Sequence, residues 1–168
     1  MPTPIVRLLP MDEAHFPAYR DYFIDDYARD LASNHGLTQT EARQQAEASL
    51  RQYLPQGRPP GQSLLCIIPV NDTVHDNVGG AVAPIAGYLW HSTTAPPTAP
   101  LSMTSTHPAH RGLGWAARPP WRCWEAELKC LGVSQIKLRV AYDNPRARAL
   151  YEEIGFHITG YNMAKTLG

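Results

Sequence analysis

Apolar and polar positions along the chain follow two periods, and the switches between them mark the elements. A short apolar run at residues 5–9 predicts a first strand. Phe16, Tyr19, Phe23, Tyr27 and Leu31 then recur at helical spacing, with Arg20, Asp21, Asp25 and Arg29 between them. That pattern predicts an amphipathic helix. Pro17 belongs in its first turn, because a proline deeper inside breaks the hydrogen-bond ladder, and Asn34-His35-Gly36 ends it. Thr38 and Glu41 have the spacing of a capping box, and Leu37 can staple onto Ala42. Ala42, Ala46, Leu50 and Tyr53 make the apolar stripe of a second helix, which stops at the glycines and prolines of residues 56–61.

The second half is richer in strands. Residues 63–70 (SLLCIIPV) read as a buried strand, 71–80 as a polar hairpin loop and 81–91 as the partner strand. Trp115, Trp121, Trp124, Leu128 and Leu131 fit a helix stripe whose default explanation is core packing. Residues 134–141 alternate Ile136, Leu138 and Val140 with Lys137 and Arg139, the period of a half-buried strand. Asn144-Pro145 starts a helix well, since asparagine is a good N-cap and proline suits the first helical position. Ala147, Leu150, Tyr151 and Ile154 give that helix an apolar face, Gly155 can cap its end, and residues 156–165 predict a last strand. The mixed order of elements predicts an α/β (α+β) layer fold built on a mixed sheet, as one domain over residues 1–168.

Composition narrows the function classes. The chain has 168 residues, 43% hydrophobic and 18% charged, enough for a sizeable core and too apolar for a disordered chain. Lys+Arg and Asp+Glu both total 15, so no basic field is available to hold a nucleic acid or an anionic membrane. No apolar run is long enough to span a bilayer, and the first residues lack the basic start and apolar core of a secretory signal. Cys66, Cys123 and Cys130 are odd in number and lack metal-ligand spacing, so they read as reduced thiols in a cytoplasmic protein. His35, His107 and His110 have no third partner that would make a metal site. The acidic pairs Asp25-Asp26 and Glu152-Glu153 read as solvated helix faces.

The informative stretch is residues 107–116, His-Pro-Ala-His-Arg-Gly-Leu-Gly-Trp-Ala. Glycines at alternate positions before a helix allow close backbone approach to a ligand, and the N–H groups at a helix start favour phosphates. Arg111-Gly112-Leu113-Gly114-Trp115-Ala116 resembles the acyl-CoA signature of the GCN5-related N-acetyltransferase (GNAT) superfamily, Q/R-x-x-G-x-G/A. Downstream, Leu131-Gly132-Val133, the alternating residues 136–140, and Asn144-x-x-Ala147-x-x-Leu150-Tyr151-x-x-x-Gly155-Phe156 resemble the family's second half in order. The paired N-terminal helices followed by Gly87-Tyr88-Leu89-Trp90, and the ending Asn162-Met163-x-Lys165, are similar to a subgroup of small bacterial members.

The resemblance implies a mostly antiparallel sheet of about six or seven strands with flanking helices and one splayed parallel pair. It implies acetyl transfer from acetyl-CoA to an amine by direct attack, in a monomer or homodimer, without a metal. Residues 111–116 would cradle the CoA pyrophosphate, with Arg111 adding charge at the rim. Asn144 would hydrogen-bond the pantetheine arm, and Tyr151 would protonate the departing thiolate. Local readings stand beside these: Asn144 is already explained as a helix cap, and Tyr151 as a core aromatic.

Residues 95–124 depart from the family pattern. The strand before the Arg-Gly loop is expected to be apolar and to carry an acid. Here residues 98–106 hold no Asp or Glu, include Pro100 and barely alternate, which predicts a poor central strand. Pro119-Pro120 is expected to interrupt the following helix. Plausible GC-rich codons for residues 99–105, read in a shifted frame, can spell A-F-V-Y-D-I-D, acid included. The window therefore suggests a frame-shifted translation bounded by compensating indels. The same departures support an alternative function, a catalytically impaired acyl-CoA-binding or interaction protein of the same fold.

Overall fold

The computed structural model describes residues 6–55, 59–70, 85–92, 98–106, 119–165 and 167, with only the backbone at 98–106, 119, 120 and 123. The hairpin loop at 71–80 and the Arg-Gly loop at 111–116 lie outside the described residues. In chain order the elements are β1 (Val6–Pro10), α1 (Phe16–His35), α2 (Gln39–Tyr53), β2 (Gln62–Pro69), β3 (Gly87–Ser92), β4 (Thr98–Thr106), α3 (Pro119–Cys130), β5 (Gln135–Leu138) and α4 (Pro145–Glu153). They fall into two compact units, Met1–Phe16 with Gln56–Arg139, and Pro17–Pro55 with Val140–Gly168.

The first unit carries a five-stranded sheet in sequential order, β1-β2-β3-β4-β5. The first three pairings are antiparallel and β4–β5 is parallel, so the sheet is mixed and mostly antiparallel, as expected. All six residues of β3 are buried, which suits a strand covered on both faces. Val6, Ile67 and Ala86 form one apolar cluster, with Leu8 packed against it. Met11 closes the end of β1 by donating its N–H to Leu64 O at 2.9 Å. In α3, Trp121, Trp124 and Leu128 of the predicted stripe are buried in the core, Leu131 beyond them is exposed, and Trp115 lies outside the described residues.

Residues 98–106 correct the sequence reading, for they form β4, a strand paired on both sides. The proline is tolerated because of where it falls. Pairing with β3 reaches only to His91↔Leu101, so Pro100 lies beyond that ladder, among the first residues of the strand. Between Trp90↔Met103 and His91↔Leu101 the register shifts, leaving Ser102 as a bulged residue. The β5 ladder ends at Leu101↔Leu138, directly before the bulge, and residues 102–106 run on without a β5 partner. A bulge bends its strand and disrupts pairing locally, and the β4–β5 ladder ends at this point.

Other expectations are shortened. The strand predicted over 134–141 pairs only over Gln135–Leu138, because alternation marks an extended backbone whereas a strand also needs a neighbour's ladder. Residues 156–165 form no strand, and Ile158, Tyr161 and Met163 stand exposed. Five strands, rather than six or seven, are therefore present among the described residues. Pro119 and Pro120 open α3 instead of interrupting it, occupying positions whose N–H groups have no intrahelical partner.

The second unit contains α1, α2 and α4. Tyr19, Phe23 and Leu31 are buried on α1 as predicted, with Ile24 and Ala28 widening the stripe, while Phe16 and Tyr27 are half-buried. Gly36 (φ 66°) follows the last turn in the left-handed region. The capping box of α2 forms in full: Glu41 N–H donates to Thr38 Oγ1 (3.3 Å), and Thr38 N–H donates to Glu41 Oε2 (2.9 Å). Hydrogen bonds from Thr38 hold the Glu41 carboxyl below its ordinary pKa. Ala42, Ala46 and Leu50 are buried, but Tyr53 in the last turn is exposed.

Candidate functional site

Helix α4 brings two of the predicted site residues onto one element. Asn144 caps it: the side-chain Oδ1 accepts the Ala147 N–H at 3.1 Å, and the Asn144 carbonyl accepts from Arg148 N–H at 3.2 Å. Pro145 follows at the first helical position. The cap uses only the carbonyl oxygen of the exposed Asn144 amide, so its Nδ2 hydrogens suit a second acceptor. Tyr151 lies nearly two turns on, with Ala147, Leu150 and Ile154 on the same half-buried face. Arg148 and Glu152 pair across the exposed face at 3.1 Å. Burial pushes the Tyr151 phenol above its ordinary pKa, so it keeps its proton well beyond neutral pH.

The start of α4 is tied to the end of α1. Asn34 Nδ2 donates to Asp143 Oδ1 at 2.9 Å and to Asp30 Oδ1 at 2.9 Å. These residues lie 109 positions apart in the chain, and no local sequence signal marks the pairing. Along α1 and α2 runs an open groove of about 550 Å³ lined by Asp25, Arg29, Arg43 and Glu47 among others. Arg43 pairs with Asp25 at 2.6 Å and with Glu47 at 3.6 Å. The groove's acids are thus already matched by cations, and its lining has no net charge to select a polycation.

In the first unit the sequence expectations bear on β4 and α3. Past Leu101, the β5-facing edge of β4 offers backbone groups without a β5 ladder. Arg111, Gly112, Leu113, Gly114, Trp115 and Ala116 lie outside the described residues. The sequence reading gave His91 no role, and the structure gives it a buried one. Trp124 Nε1–H donates to His91 Nδ1 at 3.1 Å, and the rings meet edge-on with centroids 5.3 Å apart. With Nδ1 accepting, the proton sits on Nε2, and the neutral ring has no lone pair left to act as a base. Desolvation by burial lowers its pKa to about 4. His91 therefore does not replace the acid missing from residues 98–106.

Cys66 is buried and Cys130 exposed, and neither is in a disulfide. Among the described residues no group of three His, Cys, Asp or Glu side chains could hold a metal ion, and no helix is long and apolar enough to cross a membrane.

Comparison with known proteins gives a consistent picture of the fold. The model of the Acetyltransferase (GNAT) family matches residues 16–156. The structure of the Bacillus subtilis protein YycN, an inferred acetyltransferase, superposes with a TM-score of 0.81 at 24% identity, covering 96% of this chain and 98% of that one. An inferred acetyl transferase from Pyrococcus furiosus gives 0.67 at 19% identity, covering 96% and 99%. The spermidine N-acetyltransferase of Vibrio cholerae, solved with CoA and spermine, gives 0.61 at 18% identity, covering 92% and 82%. No curated protein sequence matches the chain.

Proposed function

The chain belongs to the GNAT acetyltransferase family, and from that premise we propose that it transfers an acetyl group from acetyl-CoA to a primary amine. The match of residues 16–156, running from the first turn of α1 to Phe156, is the observation that carries this reading. A neutral amine attacks the thioester carbonyl carbon, the tetrahedral adduct collapses with cleavage of the C–S bond, and the proton that the amine nitrogen sheds is lost to water, which returns one to the Tyr151 phenolate. Tyr151 donates its phenolic proton to the leaving thiolate, a role suited to a phenol that burial keeps protonated. Asn144 donates from Nδ2 to a carbonyl of the pantetheine arm while its Oδ1 caps α4. The N–H groups of residues 111–116 hold the pyrophosphate through the close backbone approach that Gly112 and Gly114 allow, with Arg111 at the rim. No covalent enzyme intermediate is needed, so the cysteines take no part.

The sequence of β4, which lacks any Asp or Glu, favours a second reading in which the chain binds acyl-CoA without turning it over. One experiment separates the two. Thiol release from acetyl-CoA is followed with a panel of small amines, polyamines, amino acids and peptide N-termini, beside calorimetric titration with CoA alone. Amine-dependent release supports the transferase, binding without release supports the silent protein, and no binding refutes both.

A further inference from the structure

We infer that Phe156 is a positioning residue for Tyr151, holding the Tyr151 ring in one orientation through the turn that ends α4. The inference rests on the proposed role of Tyr151 as proton donor. It starts from backbone geometry. Gly155 has φ 106°, in the region that side chains disfavour. Its N–H donates to Glu152 O at 3.1 Å, and the next N–H, of Phe156, reaches back to Tyr151 O at 2.9 Å. These are the inner and outer bonds of a Schellman cap, which folds the residue after the glycine against the helix. Here that residue lands on Tyr151. The two rings meet edge-on, with centroids 5.8 Å apart and planes at 67°.

One backbone bond and one ring contact thus join the same two residues. The Phe156 ring holds no exchangeable proton, so it cannot itself protonate the thiolate, and its contact with Tyr151 is the route by which it bears on that step. A proton donor works only within hydrogen-bond reach of its target, and a misplacement of about 1 Å can cost about a hundredfold in rate. Ring contact removes rotamers of Tyr151 that would point the phenol elsewhere. The spacing Tyr-x-x-x-Gly-Phe then has a physical reason: the glycine turns the chain, and the phenylalanine locks the tyrosine four residues before that glycine.

The test is a double-mutant cycle on the amine that gives the largest thiol release. Phe156→Leu keeps an apolar side chain and removes the ring. It is expected to lower kcat about tenfold with the KM for acetyl-CoA unchanged, to cause no further loss in a Tyr151→Phe background, and to be reversed by Phe156→Tyr. Fluorine NMR of 3-fluorotyrosine-labelled protein gives a readout independent of activity. The resonance absent from Tyr151→Phe is expected to shift or narrow in Phe156→Leu. Should Phe156→Leu fail to fold, Gly155→Ala replaces it. Among the described residues no atom lies within 4 Å of a Cβ at that position, so the change acts through the backbone turn. Equal kcat losses in both backgrounds, or an unchanged kcat and fluorine signal, would overturn the inference. Full turnover in Tyr151→Phe would instead refute the proton-donor reading, and the fluorine signal would still decide whether Phe156 fixes the ring.

Discussion

Two side chains, Tyr151 and His91, show how burial sets what a titratable group can do. A phenol whose pKa is raised stays protonated and can donate. Tyr151→Phe is therefore expected to lower kcat by about 10²–10⁴-fold, the usual contribution of an acid–base group, with acetyl-CoA affinity nearly intact. Steady-state kinetics beside calorimetry checks this, and full turnover would reduce Tyr151 to a core aromatic. His91 is held neutral, with a folded pKa of about 4 against an ordinary 6.5. Between those values the unfolded chain binds the proton and the folded chain does not, so stability is complete above pH 6.5 and falls as pH drops towards 4. At about 1.4 kcal/mol for each pH unit, the loss is at most about 3 kcal/mol, less whatever solvent screening removes. Urea unfolding at pH 7 and pH 4.5 should show most of it. His91→Asn, which keeps an acceptor for Trp124, should flatten the slope; an equal slope in both proteins would assign the acid lability to other groups.

At the scale of the element, α4 was legible because its ends are set by local chemistry. Asn144, Pro145 and Gly155 each satisfy or remove a backbone group at a helix end, and each stands where the sequence predicts. The Thr38–Glu41 box was legible for the same reason. Strands were legible only where partner and pattern agree. The alternation at 134–141 says nothing about where the β4–β5 ladder ends, and Pro100 reads as a strand breaker until its place beyond the β3 ladder is known. The His91–Trp124 bond joins residues 33 apart, and the Asn34–Asp143 bond residues 109 apart, so topology alone makes them neighbours. Asn144 has two proposed roles that one substitution separates. Asn144→Asp keeps an oxygen for the Ala147 N–H and loses the amide donors. Its thermal stability should match the parent, while its affinity for CoA should fall about tenfold, the value of a hydrogen bond worth ~1.4 kcal/mol. Unchanged affinity would leave Asn144 as a cap only.

For the whole molecule, the open question is how an amine loses its proton when β4 carries no carboxylate and His91 has no lone pair to offer. Binding and chemistry are separable here. Gly114→Val, by adding a branched side chain where the pyrophosphate would approach the backbone, is expected to weaken CoA binding at least tenfold without unfolding the protein; an unchanged affinity would remove residues 111–116 from the site. The gene's nucleotide sequence shows whether a shifted frame restores an acid to residues 98–106. Residues 98–106 as they stand carry no carboxylate, and an alkylammonium with a pKa near 10 is almost wholly protonated at neutral pH. The most direct measurement is the rate of amine-dependent thiol release from acetyl-CoA as a function of pH, with the acetylated amine confirmed by mass spectrometry. Weak activity at pH 7 that climbs steadily towards the amine's own pKa, with no earlier plateau, is the result expected of a GNAT acetyltransferase without an enzyme base. No amine-dependent release at any pH would contradict the transferase, and a strong rate that is flat between pH 6 and 8 would contradict the missing base.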